Sequence, residues 1–216
     1  MRIVCVSYRN WALKIYDTIV QNTDHTILII RSTNQYHEQA IKDFKPDLIL
    51  YYGWSWIVSD EMINTYKCIM LHPSPLPKYR GGSPIQNQII NNEKESAVTL
   101  FLMDTGMDSG DIICQKKFSL EGHLVEIFER ITTIGIDLTQ KLLDGDYTLI
   151  KQQEKNKTVF KRRTPQDSEI TLDELQTKTG EYLFNKIRML EDPYPNAFYK
   201  TIDKKKLLIK LAEISD

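Results

Sequence analysis

Along the first 75 residues, short apolar runs alternate with stretches whose apolar side chains recur at helical spacing. Ile3–Val6 is the first run, closed by the polar turn Ser7-Tyr8-Arg9-Asn10. Ala12, Ile15, Tyr16 and Ile19 then fall at i, i+3, i+4 and i+7, which predicts a helix over 11–21. Thr26–Ile30 reads as a second strand, 35–44 as a helix, and Asp47–Tyr52 as a third strand. Residues 59–65 predict a short helix with Ser59 as its N-cap, and Cys68–Leu71 a fourth strand. Nearly continuous apolar strands about 20 residues apart, with helices between them, suit a parallel sheet covered on both faces. The class is therefore α/β with a mainly parallel sheet. Ligands of such sheets bind beyond the carboxyl ends of the strands, so the loops after Val6, Tyr52 and Leu71 are the places for chemistry.

The rhythm changes after His72. A Pro- and Gly-rich loop runs to Ser83, and Pro84 opens a helix carrying Ile85, Ile89 and Ile90. Strands are expected at Ala97–Met103 and Asp111–Leu120 around the loop Asp104–Gly110, then a long amphipathic helix over 123–143 that stops at Gly145. Residues 151–170 are polar and charged, which places a boundary near 150 between a main domain, 1–150, and a short α+β appendage, 151–216, packed on it. The appendage offers a helix over 173–190, a turn at Asp192–Asn196 and two strand-like runs on either side of Lys204–Lys206.

Composition narrows the function classes. The 28 Lys+Arg and 29 Asp+Glu leave a formal charge of −1, so no body-wide field favours nucleic acid or a membrane surface. No run approaches the ~18 apolar residues of a membrane span, and the polar start MRIVCVSYRN is unlike a signal peptide. Cys5, Cys68 and Cys114 are isolated, with no CxxC or His/Cys cluster, so neither a metal site nor a disulfide framework is expected, and the cysteine usage suits a cytoplasmic protein.

Two stretches carry chemistry. In His72-Pro73-Ser74-Pro75-Leu76-Pro77-Lys78-Tyr79-Arg80-Gly81-Gly82-Ser83-Pro84-Ile85-Gln86, a histidine leaves the end of a buried strand and three prolines stiffen the loop behind it. A rigid loop beside a histidine makes one wall of a preorganised site, although a lone histidine is as often a satisfied core residue. In Asp104-Thr105-Gly106-Met107-Asp108-Ser109-Gly110-Asp111, carboxylates crowd a loop that two glycines allow to turn tightly. Such motifs are also ordinary β-turns, but a carboxylate brought beside His72 would orient its ring.

HPSPLPKYRGGSPIQ, followed downstream by VTLFLMDTGMDSGDI, resembles the formyltransferase family that uses N10-formyltetrahydrofolate, and the resemblance covers residues 1 to about 145. The weaker PYPNAF is similar to the sugar and methionyl-tRNA branches. The resemblance implies a Rossmann-like formyltransferase core, His72 and Asp108 as catalytic residues, and attack of a primary amine on the formyl carbon. It places the pteridine against the segments Tyr52-Gly53-Trp54-Ser55-Trp56-Ile57 and Leu102–Asp108, Asp104 included. One position departs from the family pattern. Two residues before the histidine the family carries an asparagine, and here the residue is Met70, which cannot donate a hydrogen bond. Gln86 and Asn87 are the polar alternatives nearby in sequence.

For the acceptor, the YRGGSPIQ run is most similar to the sugar branch, implying a nucleotide-linked 4-amino-4,6-dideoxy sugar of the UDP-linked pseudaminic type, with Arg9, Lys78 and Arg80 on its diphosphate and Gln86 and Asn87 on the substrate.

 The methionyl-tRNA branch carries a further C-terminal domain, for which the near-neutral seventy or so residues after the core leave little room, so tRNA is not the expected partner. Formylation of an aminoacyl group, on methionyl-tRNA or a peptide synthetase, is the alternative acceptor chemistry. A catalytically silent folate- or nucleotide-binding module is the alternative that Met70 raises. The expected assembly is a homodimer acting on small molecules.

Overall fold

The computed structural model describes residues 1–215. Its centre is a six-stranded sheet. Strands β1 (Arg2–Val6), β2 (Thr26–Ile30), β3 (Leu48–Tyr52) and β4 (Cys68–His72) are parallel, with β1 between β2 and β3. After the two-residue β5 (Arg80–Gly81), strands β6 (Glu95–Leu102) and β7 (Ile112–Ser119) extend the sheet antiparallel, giving the order β2-β1-β3-β4-β6-β7. The mainly parallel α/β class expected from the pattern is therefore present, with an antiparallel pair on one edge.

Both faces are covered. On one side, α1 (Asn10–Gln21) buries Ala12, Ile15, Tyr16 and Ile19. The long helix α5 (Leu124–Asp144) buries Leu124, Ile127, Ile131, Ile134, Leu138 and Leu142 against the same apolar cluster. Gly135 is what lets α5 approach so closely, because a Cβ there would lie 2.4 Å from Ile15 Cδ1. Tyr16 ties α1 to the sheet: its hydroxyl donates to the Leu50 carbonyl at 2.8 Å and accepts from the Tyr52 N–H at 2.9 Å. On the other side, Val4, Val6, Ile49 and Tyr51 pack with Ile41 of α2 (Glu38–Phe44) and Met62 of α3 (Asp60–Thr65). Ser59 caps α3 as expected, accepting from Met62 N. The helix expected over 35–44 is shorter, a turn of 3₁₀ at Thr33–Gln35 preceding α2. Helix α4 (Pro84–Ile90) follows the proline-rich loop.

Beyond residue 150 the chain packs against the sheet's helical layer. Ile170, Ile187, Met189, Leu190 and Ala197 join the main apolar cluster with α1 and α5. The polar stretch expected to be a boundary holds β8 (Val159–Phe160), which pairs in parallel with β5. The helix expected over 173–190 is two helices, α6 (Leu172–Thr177) and α7 (Gly180–Arg188). The break has a local cause: Thr179 accepts from Tyr182 N and caps a new helix, as Thr171 accepts from Glu174 N and caps the first. A hairpin of β9 (Ala197–Lys200) and β10 (Lys206–Ile209) completes the described chain. Among the described residues no helix is long and apolar enough to cross a membrane.

Candidate active site

His72 ends β4 at the carboxyl edge of the sheet and is 5% exposed. Side chains alternate across a strand, so Cys68, Met70 and His72 share one face and Ile69 and Leu71 the other. The loop behind it is held from below. Thr99 donates to the Ser74 carbonyl at 2.6 Å, Gln88 to Pro73 at 2.9 Å and Gln115 to Leu76 at 3.2 Å. Tyr79 anchors its far end, with its ring stacked on Phe160 at 4.9 Å and its hydroxyl donating to Glu93. Burial and that carboxylate push the Tyr79 phenol up to about 12.

The imidazole lies between two acceptors. Nε2 is 2.8 Å from the Tyr79 carbonyl, which only accepts, so Nε2 carries a hydrogen and donates it. Nδ1 faces Asp108 Oδ2 at 3.6 Å. The same carboxylate oxygen accepts from the Gly81 N–H at 2.7 Å. Backbone of one short segment, Tyr79–Gly81, thus fixes both members of the pair. Tyr79, Ser83 and Asp108 all have positive φ (59°, 52° and 47°), a conformation that side-chain-bearing residues adopt at a cost of about 1–3 kcal/mol each. Two of these residues, Tyr79 and Asp108, contact His72 directly.

The second wall comes from the loops after β1 and β3. Trp54 packs against Tyr36 at 4.9 Å and Trp56 at 4.8 Å, and Trp56 lies 4.8 Å from Tyr8. The Tyr8 and Ser55 hydroxyls bridge the two loops at 2.6 Å. Trp54 is 8% exposed and its Nε1 is buried with no hydrogen-bond partner, whereas Trp56 is half-exposed and Ile57 is fully in solvent. Gly53 adopts φ +64° and sits where a Cβ would meet Arg9 and Trp11 at 3.0 Å. Tyr52 turns the other way, its hydroxyl against Thr139 under α5, so only its backbone borders this edge. Leu102 ends β6, and Asp104 is occupied within its own turn by the Gly106 N–H and the Ser109 hydroxyl.

The residues expected on the acceptor side are distributed unevenly. The Arg9 guanidinium lies over Tyr8 at 4.6 Å and over Tyr194 at 5.4 Å. Lys78 is exposed. Arg80 departs from the expectation of a diphosphate contact: it is 4% exposed and spent on Gln152 and Glu154, because the β5–β8 pairing draws it inward. Asn87 donates to the Gly82 carbonyl at 2.9 Å, and the buried Gln86 reaches Tyr194, so both amides already have protein partners. Met70 is half-buried and packs on the Val4–Met62 cluster, offering no donor beside His72.

Sequence reasoning missed Gln152 and Thr158. Gln152 bonds to both the Asp108 loop and Arg80, and the Thr158 hydroxyl accepts from the Tyr79 N–H at 2.8 Å. Both lie in the polar stretch that carries no periodic signal.

His72, buried, and Asp108, part-buried, thus face each other at the carboxyl edge of an α/β sheet, between a stiff proline loop and an aromatic loop. Residues 15–131 match the family model described as Formyl transferase, and the chain belongs to that family. A methionyl-tRNA formyltransferase of Ligilactobacillus salivarius is 32% identical over 176 residues, 78% of this chain and 54% of that protein. The chain spans about half the length of the curated relatives it matches. The structure of a methionyl-tRNA formyltransferase from Clostridium thermocellum superposes with a TM-score of 0.90 at 32% identity, over 100% of this chain and 94% of that one. The fold is shared with a sugar N-formyltransferase from a Shewanella species (TM-score 0.79, 21% identity, 100% and 99% coverage). It is shared also with HypX of Aquifex aeolicus in complex with tetrahydrofolic acid (TM-score 0.81, 21% identity, 96% and 37% coverage).

Proposed function

We propose that this protein transfers a formyl group from N10-formyltetrahydrofolate to a primary amine. The observation that carries the reading is the His72–Asp108 pair, 3.6 Å apart and bracketed by the Tyr79–Gly81 backbone, in a chain of the formyl transferase family. The folate fits the second wall. The half-exposed Trp56, packed against Tyr8 and Trp54, offers an aromatic surface on which a flat heteroaromatic ring could stack. Trp54, Trp56 and the backbone of Gly53 would hold that ring, with Leu102–Asp108 opposite. When bound, the folate would supply the formyl carbon, whose nitrogen shares its lone pair with an aryl ring and therefore donates less to the carbonyl than an alkyl amide nitrogen does.

The residues of the chain handle the proton. An attacking amine must lose one proton and the departing folate nitrogen must gain one, and a histidine is suited to both transfers. With Nε2–H donated to Tyr79, Nδ1 is the nitrogen left to exchange a proton, and Asp108 faces it there at 3.6 Å and orients the ring. The proline loop holds this pair in place before any ligand binds, so little of the gain from proximity is lost to ordering the site.

For the acceptor we favour a nucleotide-linked amino sugar, supported by the near-zero net charge and by Arg9 set between two aromatic rings. Identity of 32% to methionyl-tRNA formyltransferases favours the second reading, an aminoacyl acceptor. Isotope-labelled formyl transfer from the folate, measured against a panel of nucleotide-linked amino sugars and against methionyl-tRNA, separates the two. His72→Ala is expected to lower transfer to whichever acceptor is used by about 10²–10⁴-fold. Near-normal turnover of that variant would refute the assignment.

A further inference from the structure

Gln152 follows the core in a stretch of Lys, Gln and Glu, yet it is 7% exposed. Its Nε2 donates to the Asp108 carbonyl at 2.9 Å and to the Gly110 carbonyl at 2.7 Å. Its Oε1 accepts from Arg80 Nε at 3.1 Å and Nη2 at 2.9 Å. Both N–H groups and both lone pairs of the amide are therefore used. The match is chemical as well as steric: carbonyls only accept and a guanidinium only donates, and a primary amide supplies two donors for the carbonyls and an acceptor for the guanidinium. Arg80 is kept in place by Glu154 at 3.1 Å and by backbone pairing to Val159.

This one amide joins the two loops that make the histidine–carboxylate pair. One loop carries Tyr79 and Gly81, which bond His72 and Asp108; the other carries Asp108 itself. Asp108 has a φ of +47° and turns its carboxylate toward Nδ1 from a strained backbone that relaxes unless held. We infer that Gln152 is a positioning residue, clamping the Asp108 loop to the Arg80 loop so that the carboxylate faces His72. The inference rests on the proposed roles of His72 and Asp108 for its consequence in catalysis, but its geometry is independent of them.

Gln152→Glu is the informative variant, because it keeps the size and the acceptor for Arg80 while removing both donors and setting a carboxylate against two carbonyl oxygens. Gln152→Met removes both ends and serves if the first variant does not fold. On the full chain without substrate, the ring-nitrogen NMR signals of His72 are compared with those of Asp108→Asn. The Gln152 variant is expected to move the Nδ1 signal in the same direction as Asp108→Asn. In turnover, kcat is expected to fall about 10- to 100-fold with KM changed less than about threefold. Combined with Asp108→Asn, the Gln152 change is expected to slow the reaction no further, since it acts through that carboxylate. A folded variant with an unmoved Nδ1 signal, or losses that multiply in the double variant, would overturn the inference. If the wild-type chain transfers no formyl group to any acceptor, the functional reading fails while the NMR comparison still decides the role of Gln152.

Discussion

At the scale of single residues, Met70 is the position where this chain departs from the site its other residues build. It lies on the same face of β4 as His72, two residues back, so an amide there would point into the same space about 7 Å along the strand. The thioether instead packs on the Val4–Met62 cluster and donates nothing. Losing one donor to a developing oxyanion commonly costs about 10²–10³ in rate. Met70→Asn is therefore expected to raise kcat for formyl transfer at least about tenfold. Placing an amide beside that cluster should cost stability, about 1–3 kcal/mol. Steady-state kinetics and a denaturation curve on the same preparation check both signs, and an unchanged kcat would show that another group already serves as donor. Burial pushes the Cys68 thiol up to about 12 and the Cys114 thiol up to about 11, so both stay protonated at neutral pH.

At the scale of elements, the ladder between β5 and β8 is the smallest in the fold and the most consequential for the site. Gly81 at its centre has φ +92°, and a Cβ there would stand 2.3 Å from the Phe160 carbonyl oxygen. Gly81→Ala is expected to destabilise the protein by at least about 2 kcal/mol, from the left-handed backbone and the displaced strand together. It should also reduce turnover about 10²-fold, because the Gly81 N–H that Asp108 accepts moves with it. Thermal unfolding and kcat of the variant test the two effects separately. This ladder was illegible in the sequence for a physical reason: two residues have no period, and Arg80 and Val159 are far apart along the chain. Strands β1 to β4 were legible because each is a five-residue run rich in apolar side chains, and LILYY of β3 is buried throughout. The break between α6 and α7 was hidden because apolar spacing continues through it, while the cap at Thr179 that makes it is a local hydrogen bond. His72 and Asp108 could be read from motif residues at the ends of legible elements. Gln152 could not, since only the folded geometry gives an amide in a polar stretch its partners.

At the scale of the whole molecule, residues after 150 both close the site and share the core, so their stability matters to the site as well. Their main charged tie is buried. Lys186 is 5% exposed and donates to both oxygens of Glu174, at 2.6 and 2.8 Å, and to the Glu169 carbonyl. Burial alone would raise the Glu174 carboxyl, but Lys186, the Thr171 N–H and the Tyr182 hydroxyl outweigh it and hold the group below its ordinary value of 4.5. A carboxyl depressed by folding stabilises the native state fully above that ordinary value, and the contribution is lost as pH falls through the lower native value. Glu174→Gln leaves the Lys186 ammonium buried without a counter-charge and is expected to cost about 3 kcal/mol at pH 7. As pH falls below that ordinary value the stabilisation from the wild-type carboxyl shrinks, so the gap between the two proteins should be narrower at pH 3 than at pH 7. Denaturant midpoints of both proteins at the two pH values measure this directly. A gap that stays constant would mean that the buried pair holds the C-terminal segment by its hydrogen bonds and packing, with no contribution from its charge.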